Sequence, residues 1–236
     1  MSILYARATD PRQYDFDDVF WDKEVGTSSP TRKLFWEYLE NSGSWRDSTI
    51  LDVGCGTGWL IELLYSKGAR HVDGIDSSKK NVKISRKHFP HLTIHCSDIN
   101  SYKTRKRYDM LVSVMVFGHI ADIKTTFDKM SSLLKKDGEL HIIIPDYDYY
   151  TSTDHAHPIT IEKLNKDEFV VEVLRPQGRI ADIARKTENY ISTAKNCGLK
   201  PIKDVRIYPT ESLIKSVPRY ARFRHTVLAH LLIFKK

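Results

Sequence analysis

The sequence predicts an α/β fold built on a doubly wound, mainly parallel sheet, and two observations support this prediction. Short β-branched and aliphatic runs alternate with segments of helical spacing between residues 49 and 145, as expected for strand–helix–strand units of a parallel sheet. A glycine-rich turn, residues 54–58, joins the first strand to the first helix. Such a turn allows the backbone to approach a bound ligand closely.

Secondary structure can be predicted along most of the chain. Five strands and three helices alternate up to Pro145, where the fifth strand ends. Beyond it, the spacing predicts a strand within an insertion, then a helix closed by Gly198 and two last strands. The predicted strands cover 48–53, 71–76, 92–99, 107–114, a fifth strand that ends at Pro145, 168–174, 202–208 and 226–234, and the predicted helices cover 59–67, 79–89, 123–134 and 180–197.

The length of 236 residues fits one domain. We expect an N-terminal cover (1–44), a cofactor-binding core (45–145), a substrate-side insertion (146–179) and a C-terminal helix with strands (180–236). Within the cover, residues 5–26 are rich in aromatic and acidic side chains without clear periodicity, which suits a flexible segment. A helix with proline at its first position follows Ser29.

Composition is ordinary for a soluble globular protein, with 41% hydrophobic and 28% charged residues. The N-terminus has no long apolar run, so we expect a cytoplasmic protein. Cys55, Cys96 and Cys197 are too few and too scattered for a disulfide framework or a structural zinc site. The net charge is +7, and residues 203–236 carry eight lysines and arginines against two acids. We interpret this excess as a solvated face or a clamp for an acidic small substrate, and a nucleic-acid partner as less favoured.

The glycine turn distinguishes between cofactor classes. Residues 51–58 read Leu-Asp-Val-Gly-Cys-Gly-Thr-Gly, so the glycines occupy alternate positions. A dinucleotide-binding turn has the spacing G-x-G-x-x-G, which disfavours a dehydrogenase. Asp76 ends the next predicted strand, 22 residues after Gly54, near the distance at which an acid accepts hydrogen bonds from ribose hydroxyls.

This turn resembles motif I of the class I S-adenosylmethionine-dependent methyltransferases. Further segments resemble later motifs of that family in the same order: Asp98 with Ile99, Tyr108-Asp109 with His119 beyond it, and residues 133–140. The resemblance covers roughly 49–145 and implies a seven-stranded Rossmann-like methyltransferase fold with S-adenosyl-L-methionine as cofactor and S-adenosyl-L-homocysteine as product. It implies cofactor-binding roles for Asp52, Gly54, Cys55, Gly56, Gly58, Asp76, Ser77, Asp98, Ile99 and Val114.

Methyl transfer needs a positioned acceptor and, for some acceptors, a base. His119 follows the fourth strand and is the candidate base, with a role that only hydrogen-bonds the loop as the alternative. The substrate pocket is expected to include Tyr14, Trp21, Phe117, Asp146, Tyr147 and Tyr149. Asp146, Asp148, His155 and His157 could ligate a metal, but their spacing does not favour it, and we predict no metal site.

Three functions remain open from the sequence. A small-molecule methyltransferase acting on oxygen, nitrogen or carbon fits the aromatic cover and the insertion. An RNA or protein methyltransferase would use the basic C-terminal face. However, residues 114–117 read Val-Met-Val-Phe, whereas methyltransferases that act on base amino groups have Asn/Asp-Pro-Pro-Tyr at this place. No Pro-Cys occurs in this loop, which disfavours a pyrimidine methyltransferase with a cysteine nucleophile. A noncatalytic cofactor-binding protein is the third reading, because fold alone does not fix function. The oligomeric state stays open.

Overall fold

The computed structural model describes residues 2–14, 29–151, 158–175 and 178–236. Its strands are β1 (Thr49–Val53), β2 (His71–Asp76), β3 (Thr93–Cys96), β4 (Tyr108–Val114), β5 (Leu134–Pro145), β6 (Ile159–Lys163), β7 (Glu168–Arg175), β8 (Gly178–Arg185), β9 (Lys200–Ile207) and β10 (Ala229–Lys235). Its helices are α1 (Ile3–Ala8), α2 (Pro30–Leu39), α3 (Trp59–Ser66), α4 (Lys79–His88), α5 (Ile123–Leu133), α6 (Tyr147–Thr151), α7 (Thr187–Asn196) and α8 (Glu211–Ser216), with 3-10 turns η1 (Pro11–Tyr14), η2 (Phe117–His119) and η3 (Pro218–Phe223).

The main sheet confirms the predicted doubly wound architecture. Its seven strands run in the order β3-β2-β1-β4-β5-β10-β9. The first five run parallel to one another, whereas β10 is antiparallel to both β5 and β9. Because the strand order reverses between β1 and β4, a crevice is expected beyond the carboxyl ends of these two strands.

Helices cover both faces of this sheet. Ile50 of β1 packs in a cluster with Leu60 and Leu64 of α3, whereas the adjacent Leu51 packs with Phe127 and Met130 of α5. Successive side chains of a strand point to opposite faces, so each strand contributes to two cores. The sheet is therefore buried on both sides and provides a rigid support for loops at its carboxyl edge.

A second sheet corrects one sequence prediction. Strands β6, β7 and β8 form an antiparallel sheet, and residues 180–185 belong to β8, whereas the sequence predicted a helix from residue 180. Helix α7 begins only at Thr187. Ile180, Ala181, Ile183 and Ala184 are all buried. That spacing imitates a helix because β8 is covered on both faces, which removes the alternation expected of a half-exposed strand.

Residues 2–14 of the N-terminal segment are more regular than the sequence predicted, and the rest of the predicted flexible stretch, residues 15–26, lies outside the described residues. Helix α1 is capped by Ser2, whose Oγ accepts a hydrogen bond from the amide of Tyr5. Ala8 packs with Val170, Ala181 and Ile183 of the second sheet. Helix α2 starts at the predicted Pro30. No helix in the described ranges is both long and apolar enough to cross a bilayer.

Candidate active site

A cavity of about 300 Å³ lies at the carboxyl ends of β1, β2 and β4. Predicted residues that line it are Gly54, Gly56, Asp76, Ser77, Val114 and His119. These residues come from three separate strand ends, as expected at the point where strand order reverses. The N-terminal segment and α2 complete the lining with Thr9, Pro11, Gln13, Arg32 and Phe35.

The glycine turn requires glycine for different reasons at different positions. Gly54, Gly56 and Gly58 have φ angles of 72°, 54° and 90°, a region that other residues rarely adopt. A Cβ on Gly54 would lie 2.3 Å from Val116 Cγ2, whereas a Cβ on Gly56 would meet no heavy atom within 4 Å. Gly56 therefore keeps part of the cavity open, while Gly54 allows the turn to pack against the segment after β4.

Asp76 connects the end of β2 to the glycine turn. Its Oδ2 accepts a hydrogen bond from the Gly56 amide at 2.8 Å, and its Oδ1 accepts one from the Ser78 amide at 2.9 Å. Burial raises the pKa of Asp76 above its ordinary value, although these hydrogen bonds oppose the rise. A carboxylate has about four acceptor positions, so Asp76 can still accept hydrogen bonds from ligand hydroxyls.

Asp52 is a buried carboxyl group at the end of β1. Only 2% of the residue is exposed, and its Oδ2 has no hydrogen-bond partner among the described residues. Burial, with the nearby Asp76 carboxylate, raises the pKa of Asp52 to about 8. An unpartnered buried carboxyl group is costly, and a ligand cation placed beside it would offset that cost.

Other predicted cofactor residues lie outside the cavity lining. Asp98 is exposed, and its Oδ1 accepts a hydrogen bond from the Ser101 amide at 3.0 Å. Ile99 is packed in the core cluster on one face of the sheet, and Cys55 is buried in the cluster on the other face. Burial raises the pKa of the Cys55 thiol. Gly58 forms the start of α3, and cofactor contacts by these four residues remain predictions.

His119 lies at the centre of a hydrogen-bond network. Its Nε2 is 3.3 Å from Asp182 Oδ1, and its Nδ1 is 3.2 Å from Gln13 Nε2. Gln13 Nε2 also donates to the carbonyl of Ala8 at 3.0 Å. The hydroxyl of Tyr150 donates to Asp182 Oδ2 at 3.1 Å. We assign the proton of neutral His119 to Nε2. The Asp182 carboxylate can only accept a hydrogen bond from Nε2, whereas the Gln13 amide can donate one to Nδ1.

The turn that carries His119 is fixed by a buried arginine. The guanidinium of Arg185, on β8, donates to the carbonyls of Phe117 and Ile120 at 3.1 and 2.8 Å. Its Nε donates to Glu168 Oε1 at 2.9 Å, and the side chain of Arg185 is only 2% exposed. The second sheet therefore positions His119 both directly, through Asp182, and through its backbone.

Most of the predicted substrate residues lie elsewhere. Phe117 was expected in the pocket, but it is fully buried, with its ring centroid 5.0 Å from Phe127 and 5.7 Å from Tyr190. The 3-10 turn directs Phe117 into the core while His119 reaches the cavity. Trp21 and the side chain of Tyr14 lie outside the described part of the structure.

The predicted substrate residues at α6 cap and pack this helix. Asp146 caps α6 by accepting from the Tyr149 amide at 2.8 Å, and its Oδ2 is 2.9 Å from His230 Nε2. The rings of Tyr147 and Phe169 are 4.8 Å apart, and those of Tyr149 and Phe223 are 5.5 Å apart. None of Asp146, Tyr147 and Tyr149 lines the cavity at the glycine turn. Asp146 and Tyr147 instead border a second cavity of about 790 Å³.

Several lining residues were missed from the sequence. The Arg32 guanidinium lies 5.8 Å from the centroid of the Trp59 ring, and both residues border the cavity. Met115 also lines it with a φ of 58°, which is uncommon for a non-glycine residue and often marks a functional position. Backbone strain is not visible in a sequence, and Arg32 resembles any exposed helix residue there.

Comparison with known proteins is consistent with this geometry. A family model described as a methyltransferase domain matches residues 29–186. The ubiquinone biosynthesis O-methyltransferase of Nitrobacter winogradskyi is 33% identical over 93 residues, which are 38% of this chain and 35% of that protein. The chain thus matches only about a third of the length of this curated relative.

Solved structures share the fold over most of the chain. The S-adenosylmethionine-dependent methyltransferase from Mesorhizobium loti gives a TM-score of 0.71 at 16% identity, covering 88% of this chain and 100% of that one. The N-methyltransferase NodS from Bradyrhizobium japonicum, solved in complex with S-adenosyl-l-homocysteine, gives 0.55 at 16% identity, covering 99% and 96%.

Proposed function

Because this chain belongs to the class I S-adenosylmethionine-dependent methyltransferases, we propose that it methylates an oxygen or nitrogen atom of a small molecule. The observation that carries this proposal is the meeting of Gln13 and Asp182 at His119. Gln13 comes from the N-terminal segment and lines the cavity, whereas Asp182 comes from the second sheet and contacts His119 from outside the lining. A cavity of about 300 Å³ that the N-terminal segment borders suits a small acceptor better than a polymer.

The residues present fit the cofactor. The backbone at Gly54 and Gly56 would accommodate its methionine part, Asp76 would accept hydrogen bonds from the ribose hydroxyls, and the Arg32 guanidinium would pair with the carboxylate. Asp52 does not itself line the cavity, but its buried carboxyl group, two residues before Gly54, would stabilise the ammonium group. When bound, S-adenosylmethionine supplies a methyl group that is already activated by the positive sulfur. The remaining work of the protein is to orient the acceptor and exclude water.

An acceptor hydroxyl or ammonium group must also lose a proton. Asp182 fixes Nε2 as the protonated nitrogen of His119, so Nδ1 is the basic atom. Nδ1 is 3.3 Å from the carbonyl oxygen of Ala8, which can accept the N–H that forms there. Asp182 then stabilises the imidazolium in the way that a triad carboxylate does. In this account Asp182 and Gln13 are positioning residues, and His119 takes the proton.

The comparisons support oxygen and nitrogen acceptors alike, because the similar proteins include an O-methyltransferase and an N-methyltransferase. The alternative that a basic C-terminal face binds RNA or protein is weakened by local contacts. Arg219 lies over the ring of Tyr220, Arg222 lies over the ring of Phe223, and Arg224 pairs with Glu211. These cations are therefore already engaged within the protein.

A fractionated methylation assay tests the proposal. The purified chain is incubated with S-adenosylmethionine labelled in the methyl group and with small-molecule, protein and RNA fractions of a cell lysate. We expect label in the small-molecule fraction with the wild type and none with Asp76→Ala. Asp122→Asn, which changes an exposed helix cap, is the control and retains activity. Label confined to protein or RNA would contradict the proposal.

A further inference from the structure

One stretch of the chain, separate from the basic residues near the C-terminus, carries a strong excess of positive charge. Between residues 77 and 107 there are nine lysines and arginines and a single acid, Asp98. The resulting formal charge of +8 exceeds the +7 of the whole chain. A solvated protein surface normally mixes both signs, so this segregation calls for a physical explanation.

The fold places this stretch around one edge of the main sheet. Strand β3 is the edge strand, and α4 packs beside it, with the Arg86 guanidinium donating to the Ile94 carbonyl at 2.7 Å. The segment 103–107 lies close by, because the rings of Tyr102 and His95 are 5.6 Å apart. We call α4, β3 and residues 103–107 the basic edge.

Most cations of the basic edge face solvent. Lys106 is paired with Asp73 at 2.7 Å, and Arg107 donates to the carbonyl of Lys106. The other exposed lysines and arginines outside these contacts are Lys79, Lys83, Lys87, Lys103 and Arg105. They provide an array of charge that extends along both sides of β3.

The arrangement on α4 opposes the stability of the helix. Lys79, Lys83 and Lys87 recur every four residues, so they lie on one face with about 6 Å between successive positions along the axis. Like charges at this spacing cost a few tenths of a kcal/mol per pair in an isolated helix, and cations in the first turn oppose the helix dipole. An anionic partner would remove this repulsion.

The chemistry of the surface selects the kind of partner. Stable protein interfaces and membrane anchors need apolar side chains in their centre. The large hydrophobic side chains exposed in the described ranges are Ile3, Ile161, Leu174 and Ile202, and none belongs to the basic edge. Binding to the phosphate backbone of a nucleic acid needs only cations. We infer that the basic edge binds a nucleic acid through its phosphates, without reading its sequence.

The start of α4 links this surface to the cavity. Ser78 and Asn81 line the cavity, and the lysine stripe begins at Lys79 beside them. A strand bound along α4 would therefore pass the cavity mouth. Binding does not depend on which molecule is methylated, so it can be tested without an active enzyme assay.

Fluorescence anisotropy with a labelled RNA of about 20 nucleotides tests this inference. We expect binding at low salt, and log affinity should fall with log salt by about 0.7 for each phosphate contacted. The triple variant Lys79→Gln, Lys83→Gln, Lys87→Gln keeps the helix propensity of α4. This variant should weaken RNA binding at least tenfold and reduce the slope of log affinity against log salt by about 2. Replacing Lys163, Lys195 and Lys200 by Gln removes the same charge from exposed positions elsewhere and should leave both values unchanged.

Four results would overturn the inference. One is the absence of RNA binding by the wild type at low salt, and another is an equal loss in the two triple variants. Tighter binding to vesicles containing phosphatidylserine than to RNA at the same salt would assign the surface to a membrane. Tighter binding to polyglutamate would assign it to an acidic protein. Circular dichroism of all variants establishes that a loss of binding is not a loss of fold.

Discussion

Asp182 Oδ1 lies 3.3 Å from His119 Nε2, although the two residues are 63 positions apart in the sequence. Asp182 belongs to a sheet that is not part of the seven-stranded core. The close approach requires Gly118, because a Cβ there would lie 2.9 Å from Asp182 Oδ1. The added sheet therefore takes part directly in the proposed site.

Asp182→Asn tests the role of this contact. The amide keeps the shape but loses the charge that stabilises a protonated His119, so kcat should fall by about 10²-fold or more. KM for the cofactor should stay within about threefold, because Asp182 does not line the cavity. Asp167→Asn, which breaks a half-exposed pair with Lys186, is the matched control. Equal losses in both variants would show that Asp182 has no special role.

The raised pKa of Asp52 predicts that cofactor binding releases a proton. Its pKa of about 8 means that the group is mostly protonated at pH 7. An ammonium group beside it favours the ionised form, so binding of S-adenosylhomocysteine should release close to one proton. Calorimetry in buffers of different ionisation enthalpy measures this number. Release should vanish in Asp52→Asn, and a wild type that releases none would refute the assignment.

The raised pKa of Asp52 also predicts how the free energy of unfolding depends on pH. The folded pKa lies above the ordinary value of 3.8, so the folded state holds a proton that the unfolded state loses. Stability from this group is therefore greatest at low pH and decreases as pH rises from about 4 to 8, by at most about 1.4 kcal/mol per unit. Chemical denaturation should show a smaller decrease in Asp52→Asn. An identical pH dependence in both proteins would be inconsistent with this account.

The hydrogen bonds of Arg185 to residues 117 and 120 predict that the second sheet affects activity. Arg185→Lys keeps the charge but loses the guanidinium fork that donates to Phe117 and Ile120. We expect a loss of roughly 1–3 kcal/mol of stability, and a fall in kcat at temperatures where the variant is fully folded. Thermal denaturation and initial rates measure the two effects. Unchanged kcat in a folded variant would mean that the turn needs no such support.

The sequence allowed prediction of the core but not of the enclosing elements. Hydrophobic periodicity and the glycine turn identify β1 to β5 because these strands lie in regular strand–helix units. Asp182 escaped prediction because nothing local indicates that β8 packs over residues 117–119. Phe117 was misplaced for a related reason. A 3-10 turn sends neighbouring side chains in different directions, and only the packing around Phe127 and Tyr190 decides which one is buried.

Gly56 allows the most direct test of cofactor binding in the cavity at the glycine turn. Gly56 and Gly198 both have positive φ, and a Cβ at either would meet nothing within 4 Å. Alanine therefore imposes a similar backbone strain of about 1–2 kcal/mol at each, but of the two only Gly56 lines the cavity. Titration of S-adenosylhomocysteine should give binding to the wild type and Gly198→Ala, and affinity reduced at least tenfold in Gly56→Ala. Absence of binding to the wild type, or equal binding to both variants, would contradict the account.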